Sequence, residues 1–168
     1  SRCVLLMSTV SSDASADAER WRTSIFRNWR QLERAPLAVR NDHDLVLDIV
    51  SRAGLALRFA SDELRNQQDI VYAATRQNWR AMQYVASQHR SDPTLLGEAV
   101  KQSGLALQFA SPSLQEDHSI VLAAVRQNGM ALQYAATTLR GNAEIVQAAL
   151  DQNAKAFCYA SEGLRYNR

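Results

Sequence analysis

The side chains that could perform chemistry are few and lie far apart. The histidines are His43, His89 and His118, of which the first and last occupy the same position of a 25-residue repeat, three repeats apart. Stacked helices are spaced by about 8–10 Å, so we expect these two imidazoles to lie roughly 25–30 Å apart. They cannot share a metal ion, whose ligand bonds are about 2 Å long. HExxH, GxSxG, P-loop and dinucleotide-binding motifs are also missing. The sequence therefore predicts a protein that is not an enzyme and that uses no metal or cofactor.

Acidic and amide side chains recur at one position of the repeat and favour helix capping over acid–base catalysis. They are Asp42, Gln67, Asp92, Asp117 and Asn142. Each precedes an apolar helical pattern, where a side-chain oxygen can accept hydrogen bonds from free backbone N–H groups at the positive end of the helix dipole. We interpret these residues as N-caps.

The repeat occurs in five consecutive copies without insertion or deletion: residues 41–65, 66–90, 91–115, 116–140 and 141–165. The sixteenth position is alanine in every copy: Ala56, Ala81, Ala106, Ala131 and Ala156. The nineteenth is aromatic: Phe59, Tyr84, Phe109, Tyr134 and Tyr159. Apolar positions kept at such a period are typical of a solenoid, in which each unit buries its apolar face against its neighbours. The predicted fold class is all-α, an α-solenoid of tandem helical hairpins.

Each hairpin is predicted from a 3.6-residue apolar stripe followed by a helix terminator. First helices are expected near residues 43–52, 68–77, 93–102, 118–127 and 143–152, and second helices near 55–61, 80–86, 105–111, 130–136 and 155–161. Gly54, Gly104 and Gly129 stand between the two helices and are expected to adopt the left-handed conformation that ends a helix. Trp79 and Ala154 replace glycine in the other two repeats.

The termini depart from the repeat. Residues 1–18 are expected to be an extended or disordered lead-in, because their serine, aspartate and small residues show no packing period. Residues 19–40 align with the repeats in degenerate form and are expected to cap the stack, whereas residues 166–168 form a tail. The apolar run at residues 3–7 is too short for a membrane span or a signal peptide. Because the sequence begins with Ser1, we expect a processed or longer product, with a start at Met7 as the alternative.

Composition is that of one globular domain: hydrophobic residues make up 46% of 168 and charged residues 21%, and the net charge is +2. A charge this small does not dictate a partner. Cys3 and Cys158 are too few for a disulfide framework and are expected to be free thiols. This favours an intracellular location, in the cytoplasm or in an organelle such as a plastid or mitochondrion.

The fourth copy carries a motif that resembles a known family. Its motif residues are Ile120, Val121, Ala124, Asn128, Gly129, Ala131, Leu132, Tyr134, Ala135, Leu139 and Arg140. They resemble the repeat of domain of unknown function 4116, found in many copies in proteins of protists and algae, and the resemblance covers residues 42–165. It implies a helical repeat fold, and it implies no activity, cofactor or catalytic residue.

Two polar ladders are candidates for binding. The first consists of Arg40, Arg65, Arg90, Arg140 and Arg165, interrupted by Gln115. We favour hydrogen bonds from Arg65 and Arg140 to carbonyls or carboxylates of their own or the next repeat, with a phosphate-binding ridge as the alternative. The second comprises Gln77, Gln102, Gln127 and Gln152 with Asn78, Asn128 and Asn153. For the glutamines we favour local caps or solvated surface over a grip on the backbone of an extended peptide.

The N-terminal residues 20–40 form the third candidate, with six arginines opposed only by Glu33. On one helical wheel the arginines lie opposite Trp21, Ile25, Trp29 and Leu32, a cationic amphipathic pattern. The candidate partner-binding residues are Arg20, Trp21, Arg27, Trp29, Arg30 and Arg34. Either the aromatic side caps the core and the arginines are solvated, or the surface binds an acidic protein, anionic lipid or nucleic acid.

The C-terminal repeat keeps the internal apolar pattern and has no obvious cap. We expect it to expose an apolar patch of several hundred Å², which soluble monomers seldom tolerate. Phe157, Tyr159 and Leu164 are therefore candidate partner-binding residues, and we expect a partner or further chain to cover this end. An uncovered end would remove this support for a protein-binding function.

The function predicted from these features is a non-catalytic scaffold or linker subunit that binds other protein subunits. An accessory subunit of a large organellar complex, such as a photosynthetic or respiratory assembly, fits this prediction, as does peripheral association with a membrane complex. The alternative is a nucleic-acid-binding repeat module that uses the Arg/Trp-rich N-terminal region. The regular repeats sum to a charge of −2, which disfavours nucleic acid.

Overall fold

The computed structural model of the protein describes residues 16–166, and every regular element in that range is helical. The all-α fold class is therefore confirmed. The first described element is a helix at residues 16–27, followed by the 3₁₀ helix Trp29–Arg34 and the short α-helix Leu37–Arg40. Residues 16–18 of the expected lead-in thus lie in a helix, whereas residues 1–15, including the 3–7 run, and residues 167–168 of the tail lie outside the described residues.

The first helix of every repeat lies where the sequence predicts it. The bounds are His43–Arg52, Gln68–Gln77, Pro93–Gln102, His118–Gln127 and Ala143–Gln152. Asp42, Asp92, Asp117 and Asn142 accept hydrogen bonds from backbone N–H groups of the first turn and are the N-caps expected. Gln67 stands at the same place without a side-chain cap bond. In the first repeat, Leu45, Val46, Ile49 and Val50 form the buried stripe.

The second element of each repeat is a 3₁₀ helix rather than the expected α-helix, and it ends two residues earlier. The bounds are Gly54–Phe59, Trp79–Tyr84, Gly104–Phe109, Gly129–Tyr134 and Ala154–Tyr159. Residues three apart eclipse one another in a 3₁₀ helix. Gly54, Leu57 and Ala60 therefore fall on one side, and all are buried. The apolar spacing at this segment is three residues, which the 3.6-residue template did not capture.

A third helical segment closes each repeat, so the expected hairpin is wrong by one element. The segments are Leu64–Asn66, Ser87–Ser91, Pro112–Gln115, Leu139–Gly141 and Glu162–Tyr166, equivalent to Leu37–Arg40 in the N-terminal unit. Leu64 and Leu114 are buried and anchor two of them. These segments are only three to five residues long, too short to show a periodic pattern.

Successive units contact each other through equivalent elements. The first helix of each repeat packs on the first helix of the next, and each 3₁₀ helix packs on its successor. Backbone hydrogen bonds join the units: Ser61 N donates to Arg40 O (3.0 Å), Ser111 N to Arg90 O (3.0 Å) and Ser161 N to Arg140 O (2.9 Å). The buried side chains form one continuous core, in which all five repeat alanines are 0% exposed.

The glycines between first helix and 3₁₀ helix do not adopt a left-handed conformation, and that prediction is wrong. Across residues 16–166 no residue, glycine included, has a positive φ. These glycines are instead required by close approach. A Cβ on Gly104 would lie 2.1 Å from the carbonyl oxygen of Ala124 in the next repeat, and one on Gly54 would lie 2.2 Å from that of Ala74.

Candidate partner-binding surface

The asparagines of the amide ladder are caps of the 3₁₀ helices. Asn78 Oδ1 accepts from the Arg80 N–H at 3.0 Å, and Asn128 Oδ1 accepts from the Met130 N–H at 3.0 Å. Asn28 and Asn153 make the same contact with Arg30 and Lys155. A side-chain oxygen here satisfies an N–H group that a helix start leaves free. The asparagines are therefore local caps, a role that we predicted for the glutamines, whose bonds instead run between repeats.

The glutamines of the ladder join neighbouring repeats. Gln77 Oε1 accepts from the Gly54 N–H at 2.6 Å, and Gln102 Oε1 accepts from the Trp79 N–H at 3.0 Å. Gln102 Nε2 also donates to the carbonyl of Thr75 at 2.8 Å. Gln127 and Gln152 accept from Gly104 and Gly129 in the same way. One amide thus satisfies groups at the junction of two repeats, so these oxygens and N–H groups are not available to grip a peptide.

Arginines of the ladder donate hydrogen bonds partly to backbone carbonyls and partly to side chains. The Arg65 guanidinium donates to the Asp62 carboxylate, as predicted. Arg90 donates to the carbonyls of Val85 and Gln83, both at 3.1 Å. Arg140 donates to the Thr137 hydroxyl at 3.2 Å rather than to a carbonyl or carboxylate. These contacts lie within single repeats and match the hydrogen-bonding interpretation better than a phosphate-binding ridge.

Two histidines lie against carboxylates of the next repeat. His43 Nε2 lies 2.7 Å from Asp69 Oδ2, and three repeats further on the equivalent His118 Nε2 lies 3.3 Å from Glu144 Oε2. The Asp44 and Asp69 carboxylates beside His43 raise the pKa of its imidazole. In the part of the chain that the structure describes, no cluster of His, Cys, Asp and Glu could hold a metal ion.

The capping carboxylates also accept hydrogen bonds from side chains of the preceding unit. Arg22 Nη2 donates to Asp42 Oδ2 at 2.6 Å, and Tyr72 Oη donates to Asp92 Oδ2 at 2.8 Å. Partial burial opposes ionisation of Asp42, but hydrogen bonds from the Leu45 N–H and from Arg22 outweigh it and lower the pKa of that carboxyl. The caps are therefore held in their charged form by the fold, which is a structural role.

The N-terminal candidates do not share one helix face. The helix at residues 16–27 ends before Asn28, whose backbone is extended, and a separate 3₁₀ helix begins at Trp29. A single wheel over this stretch is therefore wrong, because the Asn28 side chain caps the second helix. Arg20 and Arg27 line an open cleft with Thr23, whereas Trp21 packs half-buried against the core and Arg34 is exposed.

Trp29 and Arg30 instead belong to the first of two sets of arginines and rings in contact along the 3₁₀ helices. The first set is Arg30, Trp29, Phe59, Arg58 and Tyr84, the second is Arg80, Trp79 and Phe109, and we call the two sets together the arginine–aromatic ridge. The Arg30 guanidinium lies 4.8 Å from the Trp29 ring centroid, and the Trp29 and Phe59 centroids are 6.0 Å apart. Arg58 lies 4.6 Å from the Phe59 centroid and 5.9 Å from that of Tyr84.

The second set reaches the third repeat and has the same geometry. Arg80 lies 4.7 Å from the Trp79 centroid, and the Trp79 and Phe109 rings are 6.1 Å apart at 41°, the same angle as Trp29 and Phe59. The rings are half-buried and the guanidiniums exposed. Sequence reasoning missed Arg58, Phe59, Arg80 and Trp79 as surface residues. The available signal was the Trp-Arg pair, which recurs at Trp29-Arg30 and Trp79-Arg80.

The C-terminal repeat exposes less apolar surface than expected. Ile145, Val146 and Ala149 are at most 5% exposed, because they face their own repeat and the preceding one. Phe157 is 43% exposed, whereas its equivalents Leu57, Met82, Leu107 and Leu132 are each 0% exposed. Tyr159 and Leu164 are half-buried.

Ile145, Val146 and Ala149 therefore do not contribute to the apolar patch expected at this end, whereas Phe157 does. That a partner covers this end stays a prediction. Cys158, in the same 3₁₀ helix, is an exposed free thiol.

These features define an all-helical protein of tandem repeats in which the repeated polar positions stabilise the junctions. Among residues 16–166, no helix combines the length and apolarity needed to cross a bilayer. The model of the family described as domain of unknown function (DUF4116) matches residues 25–90, 92–140 and 120–165, and the chain belongs to this family. No curated protein and no solved structure matches the chain.

Proposed function

We propose that the protein is an α-solenoid that acts as a non-catalytic scaffold or linker subunit and binds another protein. The solenoid arrangement is supported by the regular repeat and by the packing of each helix on its counterpart in the next unit. In such an architecture the stacked units offer an extended surface for partners.

The contacts of the recurring polar side chains support a function without catalysis. The recurring Asp, Asn and Gln residues are bonded to backbone groups, and His43 and His118 are paired with carboxylates of the next repeat. A catalytic group requires a cleft in which several such side chains converge on one substrate atom. The described residues supply separated pairs instead.

The observation that carries protein binding is the arginine–aromatic ridge. Tryptophan, tyrosine and arginine are the residues enriched in the energetic centres of protein interfaces. Here they form two sets of contacts on the 3₁₀ helices of four successive units, with the guanidiniums in contact with the rings. For a repeat that occurs in proteins of protists and algae, we propose an accessory subunit of a larger organellar assembly, peripheral to any membrane.

The same ridge supports nucleic acid as a second candidate, since arginine and aromatic residues also bind single-stranded RNA. The two candidates are separated by titrating the chain with a labelled single-stranded RNA over a range of salt concentrations. Tight binding that weakens steeply with salt would favour RNA. We expect weak binding, because the regular repeats carry a charge of −2.

The experiment that tests the scaffold is affinity capture of the tagged chain from an extract of its source, followed by size-exclusion chromatography of the captured complex. We expect a protein that co-elutes with the chain at fixed stoichiometry. A chain that remains monomeric and captures no protein would contradict the proposed function.

A further inference from the structure

We propose that the arginine–aromatic ridge binds an extended, acidic peptide segment of the partner protein. This inference rests on the proposed function, because it names the chemistry of the partner that the scaffold binds. The ridge lies on the 3₁₀ helices of the N-terminal unit and the first three repeats.

The guanidiniums of the ridge arginines make no ion pair with a carboxylate among the described residues. Arg22, Arg52 and Arg65 pair with Asp42, Asp48 and Asp62. For Arg30, Arg58 and Arg80, the contacts found among the described residues are those with rings. In the 3₁₀ helices that bear them, Glu33 is the one acidic residue. The ridge therefore has an excess of positive charge that the fold does not neutralise.

The ring contacts also prepare these guanidiniums for carboxylates. A guanidinium over an aromatic ring keeps its planar fork of N–H donors free for a bidentate contact. Because the ring restricts the side chain, less conformational entropy is lost when a carboxylate binds. Trp29, Phe59 and Trp79 therefore act as supports that position Arg30, Arg58 and Arg80.

The same contacts favour a peptide over nucleic acid. Single-stranded nucleic acid binds by stacking bases on open ring faces. Here the Trp29 ring is covered by Arg30 and packed against Phe59, and the Trp79 ring is covered by Arg80 and packed against Phe109. The guanidiniums are more exposed than the rings, and their edges recognise carboxylates.

The spacing of the arginines sets the pattern of the peptide. Arg30 and Arg80 follow the first residue of their 3₁₀ helices, and Arg58 lies three residues further along in its own helix, on the same face. Successive units are spaced by about 8–10 Å, and a peptide in the polyproline II conformation advances about 3.1 Å per residue with about 3 residues per turn, so that every third side chain lies on the same side, about 9 Å from the next. A peptide with an acidic residue at every third position therefore meets one arginine per unit.

We would test this by fluorescence anisotropy with three labelled probes and the full chain. The probes are a 12-residue peptide with Glu at every third position and Gly or Ser between, the same peptide with Gln in place of Glu, and a 12-nucleotide single-stranded RNA. We expect the Glu peptide to bind more tightly than the other two. The triple variant Arg30→Gln, Arg58→Gln, Arg80→Gln should weaken Glu-peptide binding by about tenfold or more.

Two further variants test whether peptide binding depends on the ridge itself or on positive charge in general. Arg126→Gln removes an exposed arginine of the fourth repeat that has no ring contact and should leave affinity unchanged. Arg58→Lys keeps the charge and loses the planar fork, so it should bind the Glu peptide less tightly than wild type. An equal loss with Arg126→Gln, or RNA bound more tightly than the Glu peptide, would overturn the inference.

Capture experiments distinguish failure of this inference from failure of the scaffold function. If wild type and the triple variant capture the same partner equally and the Glu peptide binds neither, the scaffold stands and the ridge inference fails. If neither chain captures a partner, the proposed function fails. All variants should unfold cooperatively, and the triple variant should lose only the ~0.5–1 kcal/mol per contact expected for exposed cation–π contacts.

Discussion

Two substitutions of glycine by alanine should shift stability in opposite directions. Gly104 and Gly97 both have negative φ, so alanine introduces no backbone strain at either position. A Cβ at Gly104 would lie 2.1 Å from Ala124 O, 3.0 Å from Ala124 C and 3.2 Å from Asn128 N, all backbone atoms. A Cβ at Gly97 would meet no atom within 4 Å. The pair therefore isolates the close approach between repeats.

The expected changes in stability follow from these distances. Relief of the Gly104→Ala clash requires the next repeat to move by about 1 Å, at an overpacking cost of ~1–3 kcal/mol. The movement also weakens the bond from the Gly104 N–H to Gln127, which adds ~0.5–1.5 kcal/mol. The midpoint of thermal unfolding should fall by roughly 4–15 °C. Gly97→Ala lies within a helix and should raise it by about 1–4 °C, because alanine loses less backbone entropy than glycine.

Thermal unfolding followed by circular dichroism, with purified single variants in one buffer, gives both shifts. Gly54→Ala provides a replicate, since its Cβ would lie 2.2 Å from Ala74 O. A Gly104→Ala midpoint equal to or above wild type would refute the close-approach explanation. So would a fall of similar size for Gly97→Ala, because that residue has no neighbour to displace.

Further predictions concern single buried or paired groups. Thr75 is 0% exposed and its hydroxyl has no hydrogen-bond partner, whereas valine occupies equivalent positions, Val50 and Val125. Thr75→Val should therefore raise the free energy of unfolding by ~1–3 kcal/mol, measured by chemical denaturation. A lower denaturation midpoint would contradict this. Ala106→Leu should destabilise by ~1–3 kcal/mol, because Ala106 is 0% exposed, and an unchanged melting curve would contradict its packing. The raised pKa of His43 means that its pairing stabilises the fold below about pH 6.5 and is lost as pH rises through the higher folded pKa. His43→Gln should therefore lower stability at pH 5.5 and leave it nearly unchanged at pH 8.5; equal effects at both would refute the pairing.

The sequence located the first helices well because two independent signals coincide there. The apolar stripe of Leu45, Val46, Ile49 and Val50 has the helical period, and Asp42 caps its start. The 3₁₀ helices were misassigned because a six-residue segment fits periods of 3 and 3.6 almost equally well. The third segments were missed because they are shorter still.

Predictions about individual residues failed where the residue type is explained by a contact with a neighbouring unit. Gly104 is glycine because Ala124 is close to it, and no local pattern reports that distance. The error at Asn28 was avoidable, since Asn28 aligns with Asn78 and both cap a 3₁₀ helix. The ridge could not be assembled from sequence, because Trp29 and Phe59 are brought together only when units stack.

One position of the repeat determines both the tightness of a junction and the ridge. Where it is glycine, as at Gly54, the backbone lies close to the next helix and Gln77 accepts from it at 2.6 Å. Where it is Trp79, the corresponding distance to Gln102 is 3.0 Å, and the indole packs on Phe109. With tryptophan at this position the hydrogen bond between the two repeats is longer, and the indole ring contacts the Arg80 guanidinium. The position that holds Trp29 and Trp79 in two units and glycine in three others is therefore where this chain departs from a purely structural pattern, and it coincides with the surface to which we assign partner binding.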